Sequence, residues 1–102
     1  MLDTMSSAPT LEELRARRPE IMAIAVKHGV RSLLVIGSVA RGQARDDSDV
    51  DFLIELEPGR TVLDLSRLIL DLIETLGRDV HVVEVDRISG FRKQILAEAV
   101  AL

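Results

Sequence analysis

Ser32-Leu-Leu-Val-Ile36 runs directly into Gly37-Ser-Val-Ala-Arg-Gly42, and Ser48-Asp-Val-Asp51 then opens the stretch from Asp49 to Leu56. The first run is short, aliphatic and partly β-branched, which is the pattern of a buried strand. The glycine–serine pair therefore falls at a strand end. In the second run Val50, Phe52, Ile54 and Leu56 recur at every other position. Successive side chains of a strand point to opposite faces, so this set is expected in the core. Asp49 and Asp51 then project together from the other face, with Cα atoms ~6.6 Å apart.

The flanking segments supply the rest of a domain. Thr10-Leu-Glu-Glu13 reads as a capping box opening a helix with Leu11 and Leu14 on its apolar side. Pro19 disfavours helical geometry at Arg18, which predicts a break and a second helical segment to His28, closed by Gly29. His28, in a last helical turn, reads as structural. Arg15, Arg17 and Arg18 read as a solvated helix face. The loop from Gly37 to Ser48 has room for one helical turn at Val39 to Gly42. Glu57-Pro-Gly-Arg60 is a turn. Val62, Leu65, Ile69, Leu72, Ile73 and Leu76 form a helical stripe that ends at Gly77. Asp79 to Val85 is a third strand, and Phe91, Ile95 and Ala99 mark a last helix running nearly to Leu102. The order implies an α/β (α+β) fold, a small mixed β-sheet covered by helices. Residues 1–9 are expected to form a flexible N-terminus and residues 10–102 a single domain.

Composition narrows the function. The chain has 102 residues, 47% of them hydrophobic and 29% charged, and a formal net charge of −4. One domain of this size buries enough surface for a core without staples. The absence of cysteine excludes disulfides, thiolate metal sites and thiol catalysis. The longest apolar run, Ile21 to Val26, is far below the ~18 residues of a membrane span. Met1 to Thr10 carries Asp3 and no basic cluster, unlike a secretory or transit signal. A cytoplasmic location without membrane contact is expected. A pI of about 5.1 and a lack of Trp and Tyr argue against direct nucleic-acid binding.

The Gly37 to Asp51 window carries the chemistry. It lacks the Lys-Ser/Thr ending of a P-loop and the glycine spacing of a dinucleotide fingerprint. Gly37 permits close backbone approach, Ser38 adds a hydroxyl beside backbone N–H groups, and Arg41 adds positive charge, together a cradle for phosphate. Two carboxylates aimed at one point call for a cation, and hard ions such as Mg²⁺ take a few carboxylates plus substrate phosphates. A pair of ions ~3.5–4 Å apart would clamp the oxygens of a phosphoryl or nucleotidyl transfer.

Gly-Ser-x-Ala-Arg-Gly followed by Ser-Asp-x-Asp resembles the signature of the DNA polymerase beta-like nucleotidyltransferase superfamily, most closely its minimal nucleotidyltransferase (MNT) domains. The resemblance runs from about Leu11 to Leu102. It implies nucleotide binding at Gly37, Ser38, Arg41 and Ser48, metal binding at Asp49 and Asp51, and transfer of a nucleoside monophosphate, AMP from ATP foremost, to a hydroxyl. Mg²⁺ is the expected ion, with Mn²⁺ as an alternative. The family places a third carboxylate on the strand after the long helix, where this chain has His81. His81 is thus a candidate catalytic group, and an imidazole suits Zn²⁺ or Mn²⁺ better than Mg²⁺. Asp79 is a candidate substitute; Glu84 has the wrong parity unless a bulge intervenes. The resemblance further implies a helical HEPN-type partner protein, for which the MNT chain is the antitoxin, and a homo-oligomer is open. The rival reading is a weakened or inactive domain that neutralises its partner by binding alone.

Overall fold

The computed structural model describes residues 8–87 and 92–102. Helices α1 (Leu11–Ala16) and α2 (Arg18–Lys27) lead into strand β1 (Val30–Ile36) and a single helical turn, α3 (Gly37–Ala40). Strand β2 (Val50–Leu56), helix α4 (Val62–Leu76) and strand β3 (Val80–Glu84) follow. A 3₁₀ turn (Val85–Arg87) and helix α5 (Arg92–Glu98) complete the order. Among the described residues no helix is long and apolar enough to cross a membrane. Of the N-terminus expected to be flexible over residues 1–9, residues 1–7 lie outside the described residues, as does the helical position given to Phe91, while Pro9 is buried.

Local chemistry sets the helix ends. The Thr10 hydroxyl accepts the Glu13 amide at 3.1 Å. A reciprocal capping box, unread in the sequence, opens α4: Thr61 Oγ1 accepts the Leu63 amide at 3.2 Å while the Thr61 amide donates to Asp64 Oδ2 at 2.9 Å. That amide holds the Asp64 carboxyl below the usual carboxylate range. Pro19 divides α1 from α2 as expected, with Arg17 capping both. The arginine group is more than a solvated face, however. Arg17 donates to the Thr75 carbonyl at 2.7 Å, and Arg15 donates to the Ala101 carbonyl at 3.1 Å. The last turn of a helix leaves carbonyls without intrahelical donors, and Arg17 supplies one for α4.

The sheet has the order β1-β2-β3, with β1 antiparallel and β3 parallel to β2. Helices α1, α2 and α4 cover one face through Leu14, Ile21, Phe52, Ile54, Leu68 and Leu72, all buried. The α4 stripe is rotated from the expected one: Leu68 is fully buried, whereas Val62 is 69% exposed. Val62 is the first residue of the helix, where a side chain faces the solvent beyond the sheet. The opposite face is also covered, by Leu53 and Ile36 packed with Val83, Val85 and Ile95. The strand from Asp49 to Leu56 is therefore buried on both sides beyond Asp51, and the expectation of a single apolar face was incomplete. Helix α5 ends at Glu98, short of the expected run to Leu102, because Val100 leaves the helix to pair with Val35 through two 2.8 Å backbone bonds. His28 is buried, as a structural residue should be, with Nε2 2.6 Å from Asp71 Oδ2. This bond is the main cause that holds the Asp71 carboxyl below its usual value.

The rotated stripe makes a direct prediction. Leu68→Ala should cost ~2–5 kcal/mol in chemical denaturation, the range for emptying a buried aliphatic site. Val62→Ala should stay within ~0.5 kcal/mol, as exposed substitutions do.

Candidate functional site

Strand pairing assembles the site. Asp51 lies opposite Ile36 of β1 and opposite His81 of β3, so the residue after Ile36, Gly37, falls beside its carboxylate. Gly37 has φ +74°, and a Cβ placed there would sit 2.3 Å from Asp51 Oδ2. Only glycine meets both demands, because a left-handed backbone and zero side-chain volume are needed together. The chain then turns helical at once: α3 begins at Gly37, two residues before the turn expected at Val39 to Gly42. Ser38 thus stands in a first helical turn, whose amides have no intrahelical carbonyl to bond.

Asp51 is half-buried, its side chain 27% exposed. Burial is the main reason its carboxyl is held above the usual range, and Asp49 adds to this through like-charge repulsion. His81 pulls in the other direction, and Arg41 does so more weakly. Asp49 precedes β2 by one residue rather than starting it, where the amide of Val50 bonds the Asp79 carbonyl at 3.0 Å. It borders an open groove with Asp46, Asp47, Ser48, Arg78 and Asp79.

The other expected site residues are distributed unequally. Arg41 stands at the end of α3, and its guanidinium reaches Glu98 Oε1 at 3.3 Å and Gln43 Oε1 at 3.3 Å. Ser48 Oγ accepts the Arg45 amide at 2.7 Å, which closes the turn leading into Asp49. His81 Nδ1 is 3.6 Å from Asp51 Oδ1, and the imidazole is 69% exposed. Asp79 is exposed on the groove, on Asp49's side of the site. Glu84 pairs with Ile54 in an unbroken register, so no bulge turns it toward Asp51. Glu98 went unread in the sequence, since its pairing with Arg41 spans 57 residues and has no local signal.

This donor set fits a divalent cation. Two carboxylates repel one another, one of them partly desolvated, and a cation between them removes that cost. Among the described residues no three His, Cys, Asp or Glu side chains converge as a closed cage. An open set of this kind leaves coordination positions for phosphate oxygens and water.

Two predictions follow from Gly37 and Asp51. Gly37→Ala should destabilise by more than the ~1–2 kcal/mol that a left-handed non-glycine residue costs, because it also displaces Asp51. Gly42→Ala is the control: φ is +71°, but nothing lies within 4 Å of its Cβ, so denaturation should show the backbone cost alone. A carboxyl raised in the folded state binds its proton more tightly there than in the unfolded chain. Its ionisation therefore removes stability as pH rises from 3.8 through the folded-state value. Without divalent ions, Asp51→Asn should thus raise the unfolding temperature at pH 7 relative to wild type, by a few degrees at most. The gap should close below pH 3.8, the ordinary carboxyl value. Melting curves across this range check the sign.

Comparison with known proteins agrees with this geometry. The nucleotidyltransferase domain family matches residues 13–102. A Methanocaldococcus jannaschii protein, provisionally named a protein adenylyltransferase, is 42% identical over 82 residues, 79% of this chain and 88% of that protein. The protein adenylyltransferase MntA of Thermococcus cleftensis is 38% identical over 96 residues, 89% of this chain and 94% of its own. A solved structure described as a minimal nucleotidyltransferase superposes with a TM-score of 0.83 at 45% identity, covering 92% of this chain and 97% of that one. A toxin–antitoxin structure with AMP-PNP shares the fold, with a TM-score of 0.65 at 19% identity over 76% of this chain and 64% of that one. With its mixed sheet, its Gly37-Ser38 turn and these relatives, the chain belongs to the nucleotidyltransferase domain family and is a nucleotidyltransferase.

Proposed function

We propose that this enzyme transfers AMP from ATP to a hydroxyl on a partner protein, and that the partner is a helical HEPN-type toxin which the modification silences. The observation that carries the reading is the contact of Gly37 with Asp51: a backbone free of side chain lies against a carboxylate that needs a cation. The names of the two archaeal relatives support a protein acceptor, and the toxin–antitoxin structure that shares the fold supports a toxin as the partner.

In this reading Asp49 and Asp51 hold the divalent ion, Mg²⁺ or Mn²⁺. When bound, it supplies a Lewis acid for the phosphate oxygens. Gly37 lets the triphosphate approach the backbone, and the Ser38 hydroxyl donates to a phosphate oxygen. Arg41 exchanges Glu98 for phosphate. That pair is exposed on both sides and therefore weak, while a guanidinium–phosphate contact is charge-assisted. Ser48 acts by fixing the turn that aims Asp49. The acceptor oxygen attacks the α-phosphorus, the bond from phosphorus to pyrophosphate breaks, pyrophosphate leaves with that electron pair, and the hydroxyl proton passes to solvent.

The test is the intact mass of the partner after co-expression. Wild type should add one AMP-sized increment. Asp49→Asn/Asp51→Asn should reduce transfer more than ~100-fold, since removal of direct ligands exceeds the 10–100-fold loss typical of their supporting residues. Chelation should stop wild-type transfer in vitro. An unmodified partner that both versions bind and silence would overturn the reading in favour of a binding module without catalysis.

A further inference from the structure

Strand β3 presents one side chain to Asp51, and it is an imidazole. The parallel register sets His81 directly beside Asp51, with Nδ1 3.6 Å from Oδ1. That separation is longer than a direct N–H···O hydrogen bond. It also exceeds, by about half an ångström, the ~3.0 Å between adjacent ligands ~2.1 Å from an octahedral ion. The imidazole is 69% exposed and is not locked into the core, so a small rotation closes the difference. Asp51 on the other side is held by its central strand and by the glycine at its back. One ligand is therefore fixed and the other adjustable.

The chemistry of the pair discriminates among ions. Mg²⁺ takes oxygen ligands in a near-ideal octahedron and gives up water reluctantly. Imidazole nitrogen suits the first-row transition ions, which accept mixed nitrogen and oxygen sets. A neutral ligand also leaves more net positive charge on the bound ion than a third carboxylate would. Among the described residues no further His, Cys, Asp or Glu converges on Asp51 and His81, so the rest of the shell is open to phosphate and water.

Resting on the cation site proposed above, we propose that Asp51 and His81 form a mixed carboxylate–imidazole ligand pair that selects a first-row transition ion of the Mn²⁺ class over Mg²⁺. His81 is then the specificity-determining residue for the metal. Asp49, one residue outside β2, adds negative charge near this pair.

Mn²⁺ is the probe, because it is paramagnetic. The full chain is titrated with Mn²⁺ and followed by electron paramagnetic resonance, with Mg²⁺ as competitor. Pulsed spectra of bound Mn²⁺ should show coupling to an imidazole nitrogen, and ¹⁵N-histidine labelling should change its frequency. In His81→Asp the coupling should vanish, and the preference for Mn²⁺ over Mg²⁺ should fall ~10-fold or more. The exposure of His81 makes this variant safe to fold, and its melting temperature checks that. Absence of nitrogen coupling in wild type, or an unchanged preference in His81→Asp, would overturn the inference. Asp49→Asn/Asp51→Asn separates the two levels. If this variant still binds Mn²⁺, the cation site itself is refuted, and with it this inference. If it loses Mn²⁺ while His81→Asp keeps the wild-type preference, only the role of His81 falls.

Discussion

The register of β2 is the constraint on which the site depends. This strand is paired on both edges, antiparallel to β1 and parallel to β3. A slip of one residue would send every side chain to the opposite face, replacing Asp51 with Phe52 or Val50 at the site. Phe52 and Ile54 on one face and Leu53 on the other are all fully buried, so such a slip would drive the charged side chains of Asp51 and Glu55 into the core. Hydrophobic packing thus determines where a carboxylate is held. The position of Gly37 follows from the same pairing, since it is the next residue after the partner of Asp51.

Holding that carboxylate works against stability. Asp51 is partly desolvated, faces Asp49 and has only modest compensation from His81 and Arg41. A left-handed glycine at the end of β1 adds a conformational demand. Such local costs are sustained because the rest of the domain is well satisfied: among the described residues no buried side-chain nitrogen or oxygen lacks a partner. The capping of α4 by Thr61 and Asp64, the His28–Asp71 bond and the tether of Arg17 to Thr75 lie away from the site and use ordinary polar chemistry.

Much of this was legible in the sequence because it is local or periodic. The alternation at Val50, Phe52 and Ile54 placed Asp51 on a strand face, and Pro19 marked the break between two helices. What escaped was set by contacts between distant segments. Leu53 was unreadable as core because nothing local shows that α5 covers the second face of the sheet. The stripe on α4 was rotated because Val62 and Leu68 are equally apolar, and only packing against α2 and the sheet distinguishes them. Arg15 and Arg17 look like a solvated trio with Arg18 until their acceptors, at Ala101 and Thr75, come into view. At the site, composition and spacing indicated Gly37 and Asp51, but not that Ser48 would be taken up by its own turn or Arg41 by Glu98.

The short pairing of Val35 with Val100 has a wider consequence. A strand at the margin of a sheet offers a row of unpaired amides and carbonyls on which another chain can grow. Here the segment after α5 lies along that side of β1 and takes up Val35's groups for itself. The segment is therefore a guard against self-association, and it also brings Glu98 within reach of Arg41. Protection from aggregation and restraint of the arginine nearest the site are thereby tied to one stretch of chain. Loosening it would release both together.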